Sequence, residues 1–271
     1  MRSFKYYTKL AVKQALNFRV PGEYTKVRDD DVFLASYPKS GNTWLRFLVG
    51  NLIRPEGVDF INVDRIIPDM HSLYKAELDG FPSPRFIKTH CPVRAKFARV
   101  IYVYRDPRDV VVSYYHWHLK YTSGFSCTLP EYIDRFILGK NSIYGPWWEH
   151  VNGWLASEQM HDGRMLLLKY EDMRRDDFDS VSKIAAFLGL SVSNASIRSA
   201  VENSCFERMQ KLEVKQSGAS SYLKESKQEL RFVRSGKSEW RDHFTSDLKS
   251  RFKQRFGEIL IDLSYEENLD W

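Results

Sequence analysis

An α/β domain built on a central parallel sheet is the fold class the sequence predicts, and three observations predict it. Short β-branched or apolar runs alternate with longer segments of helical periodicity, the pattern of strands joined by crossover helices. The chain has 271 residues, enough for one substantial core or two small ones. Its 43% hydrophobic and 14% aromatic residues exclude a disordered chain, while 28% charged residues exclude a membrane bundle.

The elements follow in order. Asp31–Tyr37 (DVFLASY) reads as a buried strand, and beyond PKSGNT the segment Trp44–Ile53 has helical periodicity. Arg85–Thr89 (RFIKT) is a short second strand. Arg99–Tyr104 (RVIYVY) is a third, running through RDPRD into the helix VVVSYYHWHL. Met165–Lys169 (MLLLK) is a fourth, followed by YEDM and a helix ending in AAFLGL. No repeat, low-complexity tract or linker divides the chain, so residues 1–271 read as a single domain. Ser217–Leu230 is polar and weakly periodic, and reads as a mobile loop over a site.

The formal charge is +6, and its distribution matters more than its size. Between Phe206 and Arg255 stand thirteen basic and seven acidic residues, so the excess lies in one C-terminal stretch and favours an anionic ligand there. Cys91, Cys127 and Cys205 are odd in number and form no C-x-x-C, which argues against a disulfide framework or zinc site and for a reducing, cytoplasmic setting. The opening residues place Phe4, Tyr7, Ala11 and Phe18 near helical spacing with lysines between them. Two readings stand for this N-terminal segment: a helix packed on its own domain, which is favoured, and a membrane-surface helix.

Three segments carry chemistry. Tyr37-Pro38-Lys39-Ser40-Gly41-Asn42-Thr43-Trp44 joins a strand to a helix, an arrangement that points backbone N–H groups and a positive dipole end at one anion. Its lysine precedes the glycine by two residues, so it is not the Walker A loop of a nucleotide kinase. On this loop alone a plain helix cap by Thr43 explains the residues equally well. Arg105-Asp106-Pro107-Arg108-Asp109 follows another strand, with Ser113 two turns on; arginine and hydroxyl suit a phosphate, and a surface ion pair is the alternative. Arg234-Ser235-Gly236 lies in the basic stretch, where a solvated basic face is the plainer reading.

Taken together these segments resemble the cytosolic sulfotransferase family, whose members move a sulfuryl group from 3′-phosphoadenosine 5′-phosphosulfate (PAPS). The family's Y-P-K-S-G-T-x-W appears as Tyr37–Trp44, and its Y-V-x-R-N-P-K-D-x-x-V-S as Tyr102–Ser113. The family's R-K-G-x-x-G-D-W-K-N-x-F-T looks like Arg234–Thr245. Lys88-Thr89-His90, Tyr144–His150, Tyr170-Glu171-Asp172-Met173, and Phe206 with Met209 add to the likeness, which runs from about 31 to 245 and leaves 1–30 as an N-terminal extension.

The resemblance implies a P-loop-like sulfotransferase fold and transfer from PAPS to a hydroxyl or amine of a small-molecule or lipid-like acceptor, with adenosine 3′,5′-bisphosphate (PAP) as product and no metal. It implies His90 as catalytic base, Lys39 at the leaving oxygen and Lys88 at the sulfuryl oxygens. The loop Lys39, Ser40, Gly41, Asn42 and Thr43 would hold the 5′-phosphate. Trp44, Tyr170, Ser204 and Phe206 would hold adenine, and Arg105, Ser113, Arg234, Ser235 and Gly236 the 3′-phosphate. Asn42 replaces a hydroxyl residue and is expected to donate through its amide instead. Ser235 replaces a lysine, removing one charge from the 3′-phosphate site. The family's dimer motif is broken in Arg241–Ser250, so a monomer or a dimer built elsewhere is expected. The alternatives are a nucleotide-binding, kinase-like enzyme, which would need a Mg²⁺-binding carboxylate and the Walker A order that is absent here, and a nucleic-acid-binding protein, which the basic segment suggests. Aromatics at Tyr74, Phe81, Tyr144, Trp147, Trp148 and Tyr222 read either as core or as the lining of a site for a ring-bearing or lipid-like acceptor.

Overall fold

The run Val32–Ser36 is buried along its whole length, as a strand covered on both faces must be, and it forms the centre of the sheet. This strand, β1, lies between β2 (Phe86–Thr89) and β3 (Arg99–Tyr104), with β4 (Met165–Lys169) outside β3. All pairings are parallel, and the strands run in step: Ala35 sits opposite Thr89 and Tyr102. The structure, a computed structural model, describes residues 22–219, 223, 230–234, 236 and 238–271. The expected N-terminal helix, most of the Ser217–Leu230 loop, Tyr222 and Ser235 lie outside the described residues.

Six helices matter for the site: α1 (Asn42–Ile53), α2 (Pro107–Tyr121), α3 (Trp147–Leu155), α4 (Tyr170–Arg175), α5 (Phe206–Gln216) and α6 (Ser246–Asp262). On one sheet face Val32, Leu34, Ile101 and Val103 meet Leu45, Leu48 and Leu52 of α1. On the other, Phe33, Ala35, Ile87 and Tyr102 meet Trp154 of α3. An outer layer joins Val110, Val111 and Tyr114 of α2 to Phe252, Phe256 and Leu260 of α6. Both central helices start earlier than the sequence periodicity places them. Asn42 opens α1 behind Gly41, and α2 opens at Pro107, where proline suits a first turn and Asp106 accepts from the Arg108 N–H.

The chain leaves β1 for one side of the sheet and β2 for the other, so a crevice opens above the carboxyl end of β1. The positive charge of the C-terminal stretch lies mostly elsewhere. Arg255 stands 3.7 Å over Trp148, Arg241 4.5 Å over Trp240 and Lys253 5.2 Å over Trp271, while Arg251 pairs with Asp134 and Asp247. These contacts use the basic side chains as covers for aromatic rings.

One buried ion pair aligns the two strand starts. Asp31, just before β1, accepts from Arg85, just before β2, through Nε at 2.8 Å and Nη2 at 2.6 Å, with both side chains wholly buried. Asp31→Ala removes the bidentate partner of that buried guanidinium and leaves it only Asp79 Oδ1 at 3.5 Å among the carboxylates of the described residues, so chemical denaturation should show a loss of about 3 to 5 kcal/mol. An unchanged midpoint would contradict this role.

Candidate active site

The carboxyl ends of β1, β2 and β3 open into a cavity of about 1020 Å³. Lys39, Gly41, Asn42, Thr43 and Trp44 reach it from the loop after β1, Lys88 and His90 from β2, and Arg105 and Ser113 from the end of β3 and α2. Tyr170, Phe206, Arg234 and Gly236 close it from the far side. Of the described site residues the sequence points to, Ser40 and Ser204 do not line it.

The loop after β1 is bent by two residues in the left-handed region, Lys39 at φ 71° and Gly41 at φ 98°. Gly41 has a second reason to be glycine: a Cβ there would lie 2.6 Å from the Tyr170 ring. The turn spends the Ser40 N–H on the Tyr37 carbonyl at 3.2 Å, and the first bond of α1 runs from Leu45 N–H to the Gly41 carbonyl at 3.0 Å. Asn42, Thr43 and Trp44 thus form the first turn of the helix, at its positive end, where an anion is favoured. Gly41 occupies the cap position, so the plain Thr43 cap is not what the structure contains.

Two expectations for this loop change. The Asn42 amide points inward, donating to the Leu34 carbonyl at 3.0 Å and Ser36 Oγ at 3.1 Å, so it stitches the helix to the sheet rather than reaching a ligand. The Ser40 hydroxyl is buried beneath the loop with no hydrogen-bond partner among the described residues. What the loop offers an anion is its main chain and Lys39.

Four cations crowd this end of the cavity. Burial pushes the Lys39 ammonium down to about 7, helped by Arg105, Arg234 and Lys88. Arg234 is lowered too, by burial first, even though it pairs with Glu239. Arg105 lies 4.4 Å over the Tyr170 ring, donates to the Lys39 carbonyl at 3.3 Å, and buries its Nε without a hydrogen-bond partner among the described residues. An anion among these groups relieves the penalty each imposes on the others. The other charges of the Arg105–Asp109 segment are spent internally: Arg108 pairs with Asp106, and Asp109 accepts the N–H groups of Glu239 and Trp240 at 2.8 and 3.1 Å. The segment is thus a scaffold that leaves Arg105 facing the cavity, not a surface ion pair.

The segment carrying Arg234 is held from α5. Glu213 accepts from the Phe232 and Val233 N–H groups at 2.5 and 2.8 Å, and Gln210 donates to the Val233 and Arg234 carbonyls. Gly236, at φ 65°, lets the chain pass within contact of Phe206. Beside it Trp44, Tyr170 and Phe206 form a slot with Arg174, whose guanidinium lies 5.4 Å over Trp44 and 6.0 Å over Phe206. Ser204 is a strut behind this slot. Its carbonyl accepts from the Trp44 indole at 3.1 Å and its hydroxyl from Asn51 at 3.0 Å, so it orients Trp44 without facing a ligand.

At the end of β2, Lys88 pairs with Asp69 at 2.5 Å. Asp69 is held well below the usual carboxylate range: its own burial opposes this, but Lys88 above all, with Arg46 and the nearby His71, outweighs it. His90 is pushed well below the ordinary histidine value, by burial first and then by Lys88 and His71, so its ring is neutral at neutral pH. Its Nδ1–H donates to the Ser36 carbonyl at 2.8 Å, which leaves the Nε2 lone pair as the basic position. Behind it His150 donates Nε2–H to the His90 carbonyl at 3.1 Å and accepts at Nδ1 from the Tyr102 hydroxyl at 2.9 Å.

Among the described residues one grouping, Glu23, His71 and Cys91, brings candidate metal-ligand atoms within 4.8 Å of one another. His71 spends Nδ1 on Glu23 at 3.0 Å and Nε2 on the His90 N–H at 2.8 Å. Both ring nitrogens are committed to hydrogen bonds, so the grouping fits a chain of positioning contacts better than a metal.

The rest of the cavity is aromatic in a way the sequence places only in part. Of the two readings for Tyr144 the structure contains the lining one: it faces the cavity together with Tyr114, Trp117, His118 and Tyr121 of α2. Trp147 is core and Trp148 packs against the same cluster, while Tyr74 and Phe81 do not line the cavity.

The depressed Lys39 value has a measurable consequence. A phosphate beside Lys39 restores its charge, so between pH 7 and its higher bound value binding takes up as much as one proton. Nucleotide phosphates are already dianionic there, their second pKa being about 6. The affinity for PAP should therefore fall as pH rises above 7, by up to tenfold per unit for one proton, with proton uptake visible by calorimetry in two buffers and lost in Lys39→Met. A pH-independent affinity without uptake would contradict it.

Comparison with known proteins agrees with this geometry. The model of the sulfotransferase domain matches residues 29–264. An amine sulfotransferase of Oryctolagus cuniculus is 31% identical over 256 residues, covering 88% of this chain and 83% of that one. A flavonol 3-sulfotransferase of Flaveria bidentis is 30% identical over 283 residues, covering 95% and 90%. Among solved structures, a mouse sulfotransferase complexed with PAP superposes with a TM-score of 0.70 at 26% identity, covering 88% of this chain and 87% of that one. A parallel sheet ending in a phosphate loop, matched over 29–264 by the family model, makes the chain a member of the sulfotransferase family and a PAPS-dependent sulfotransferase.

Proposed function

We propose that the chain transfers the sulfuryl group of PAPS to the hydroxyl or amine of a small ring-bearing or lipid-like acceptor, with His90 as general base. The observation that carries this reading is the neutral His90 ring, which donates Nδ1–H to the Ser36 carbonyl and keeps Nε2 free as a proton acceptor beside the cavity.

The first turn of α1, at its positive end, and Lys39 suit the 5′-phosphate. Arg105, Ser113 and Arg234 suit the 3′-phosphate, with Ser235 and Gly236 as part of the same loop. The slot of Trp44, Tyr170, Phe206 and Arg174 suits adenine, since a ring stacks on aromatic faces and under a guanidinium. Chemistry then follows from position. The acceptor O–H or N–H gives its proton to His90 Nε2 as the new bond to sulfur forms. The bond from sulfur to the 5′-phosphate oxygen breaks, and the negative charge left on that oxygen meets Lys39. Lys88 neutralises the oxygens of the moving group while Asp69 limits its reach. In-line transfer of this kind asks for positioning and charge neutralisation and little else.

Tyr114, Trp117, Tyr121 and Tyr144 support a ring-bearing or extended apolar acceptor. The names of the amine and flavonol sulfotransferases support both nucleophile types. Unpaired Cys91, Cys127 and Cys205 support a reducing, cytoplasmic setting, and no helix of the described residues is long and apolar enough to cross a membrane. A dimer through Arg241–Ser250 is disfavoured, because Phe244 and Leu248 of that segment are buried within the chain.

The test is transfer from labelled PAPS to a panel of phenols, alcohols and amines, in the native protein and in His90→Ala. The variant should lose about 10²- to 10⁴-fold in kcat on the best acceptor while binding PAP within about twofold of the native protein. Wild-type turnover by His90→Ala would remove His90 from the mechanism.

A further inference from the structure

Beyond β2 the chain is joined by a segment that its sequence does not mark as a strand. The Lys88 N–H donates to the Pro68 carbonyl at 2.9 Å and the Met70 N–H to the Lys88 carbonyl at 3.1 Å, so Pro68–His71 runs parallel to Lys88–His90. Alternate side chains share a face in such a pairing. Asp69 therefore meets Lys88, and His71 meets His90, their rings stacked at 6.0 Å with 10° between planes.

The bonds of His71 are specific. Its Nε2 accepts from the His90 N–H at 2.8 Å, which requires the neutral ring to carry its proton on Nδ1. That proton goes to Glu23 Oε1 at 3.0 Å. The hydrogen bond from His71 outweighs burial and holds the Glu23 carboxyl below its ordinary value, so the acceptor is a carboxylate. Glu23 is itself anchored. Gly22 donates to the Leu73 carbonyl at 2.9 Å, and a Cβ on Gly22 would lie 2.6 Å from the Met70 oxygen, so only glycine lets this turn approach so closely. Arg94 donates to the Glu23 carbonyl at 3.2 Å.

His90 is the first residue past β2, where the sheet no longer holds the chain. Its peptide is gripped instead by side chains: the N–H by His71, the carbonyl by His150 at 3.1 Å, and the ring by the Ser36 carbonyl. A general base must lie about 2.6 to 3.2 Å from the proton it takes, and a displacement of about 1 Å can cost about 10²-fold.

We propose that Glu23 and His71 are positioning residues for sulfuryl transfer, acting through the main chain of His90 to hold its ring at the acceptor. The proposal rests on the reading of His90 as base. His71→Ala should lower kcat about 10- to 100-fold, with PAP affinity and acceptor KM within about twofold. His71→Gln, whose carbonyl oxygen can accept the His90 N–H while its amide donates to Glu23, should recover most of that loss. Glu23→Ala should lower kcat in the same direction by a smaller factor, and it remains informative if His71→Ala does not fold.

The two readings separate in a double-mutant cycle with His90→Ala. Acting only through His90, His71→Ala produces no further loss of turnover in the His90→Ala protein. A multiplied loss there, or wild-type kcat in the foldable single variants, or His71→Gln as impaired as His71→Ala, overturns the positioning role and leaves the base intact. Wild-type turnover in His90→Ala overturns the base, and the positioning role falls with it.

Discussion

The structure is organised around mutual repulsion among Lys39, Lys88, Arg105 and Arg234. Each lines one cavity, and the Lys39 ammonium is brought down to about 7 by burial and its cationic neighbours. The surrounding residues contain the rest. Asp69 answers Lys88, Glu239 answers Arg234, the Tyr170 ring lies under Arg105 and the Phe232 ring under Lys39. These partners hold the cations in place without cancelling the demand for an anion. A site prepaid in this way binds a multiply charged ligand strongly and loses little of that affinity to rearrangement.

The parallel sheet makes the crowding possible. Because β1, β2 and β3 run in step, their carboxyl ends deliver Lys39, Lys88 with His90, and Arg105 to a single edge. The same step brings His90 close enough to Ser36, at the end of β1, for its ring to be oriented by a main-chain carbonyl. Fold and chemistry thus share one constraint, which is the register of three short strands. The buried Asp31–Arg85 pair at the other end of β1 and β2 guards that register.

Much of this was legible in the chain. Strands Arg99–Tyr104 and Met165–Lys169 have the expected bounds, and the residues of YPKSGNTW and RDPRD lie where a strand–loop–helix reading puts them. What was not legible involves side chains whose direction depends on a remote partner. Asn42 turns inward because the Leu34 carbonyl and Ser36 hydroxyl lie beneath it, and Ser204 faces Trp44 because α1 passes in front of it. Pro68–His71 pairs with β2 over too few residues to leave an alternating pattern, so the sequence does not mark Asp69 and His71 as partners of Lys88 and His90. Arg174 lies one residue past the recognised YEDM and gave no signal of its own. The aromatics of α2 read as an amphipathic helix, since a helix face looking into a cavity and one looking into a core carry the same residues.

The central claim is that the crowded cations exist to hold a nucleotide with two separate phosphates. Calorimetric affinities for PAP and for adenosine 5′-phosphate, measured on the native protein at one pH and salt concentration, test it most directly. The account predicts at least about 30-fold tighter binding of PAP, the equivalent of about 2 kcal/mol for a buried charge-assisted phosphate contact. Equal affinities for the two nucleotides would contradict it.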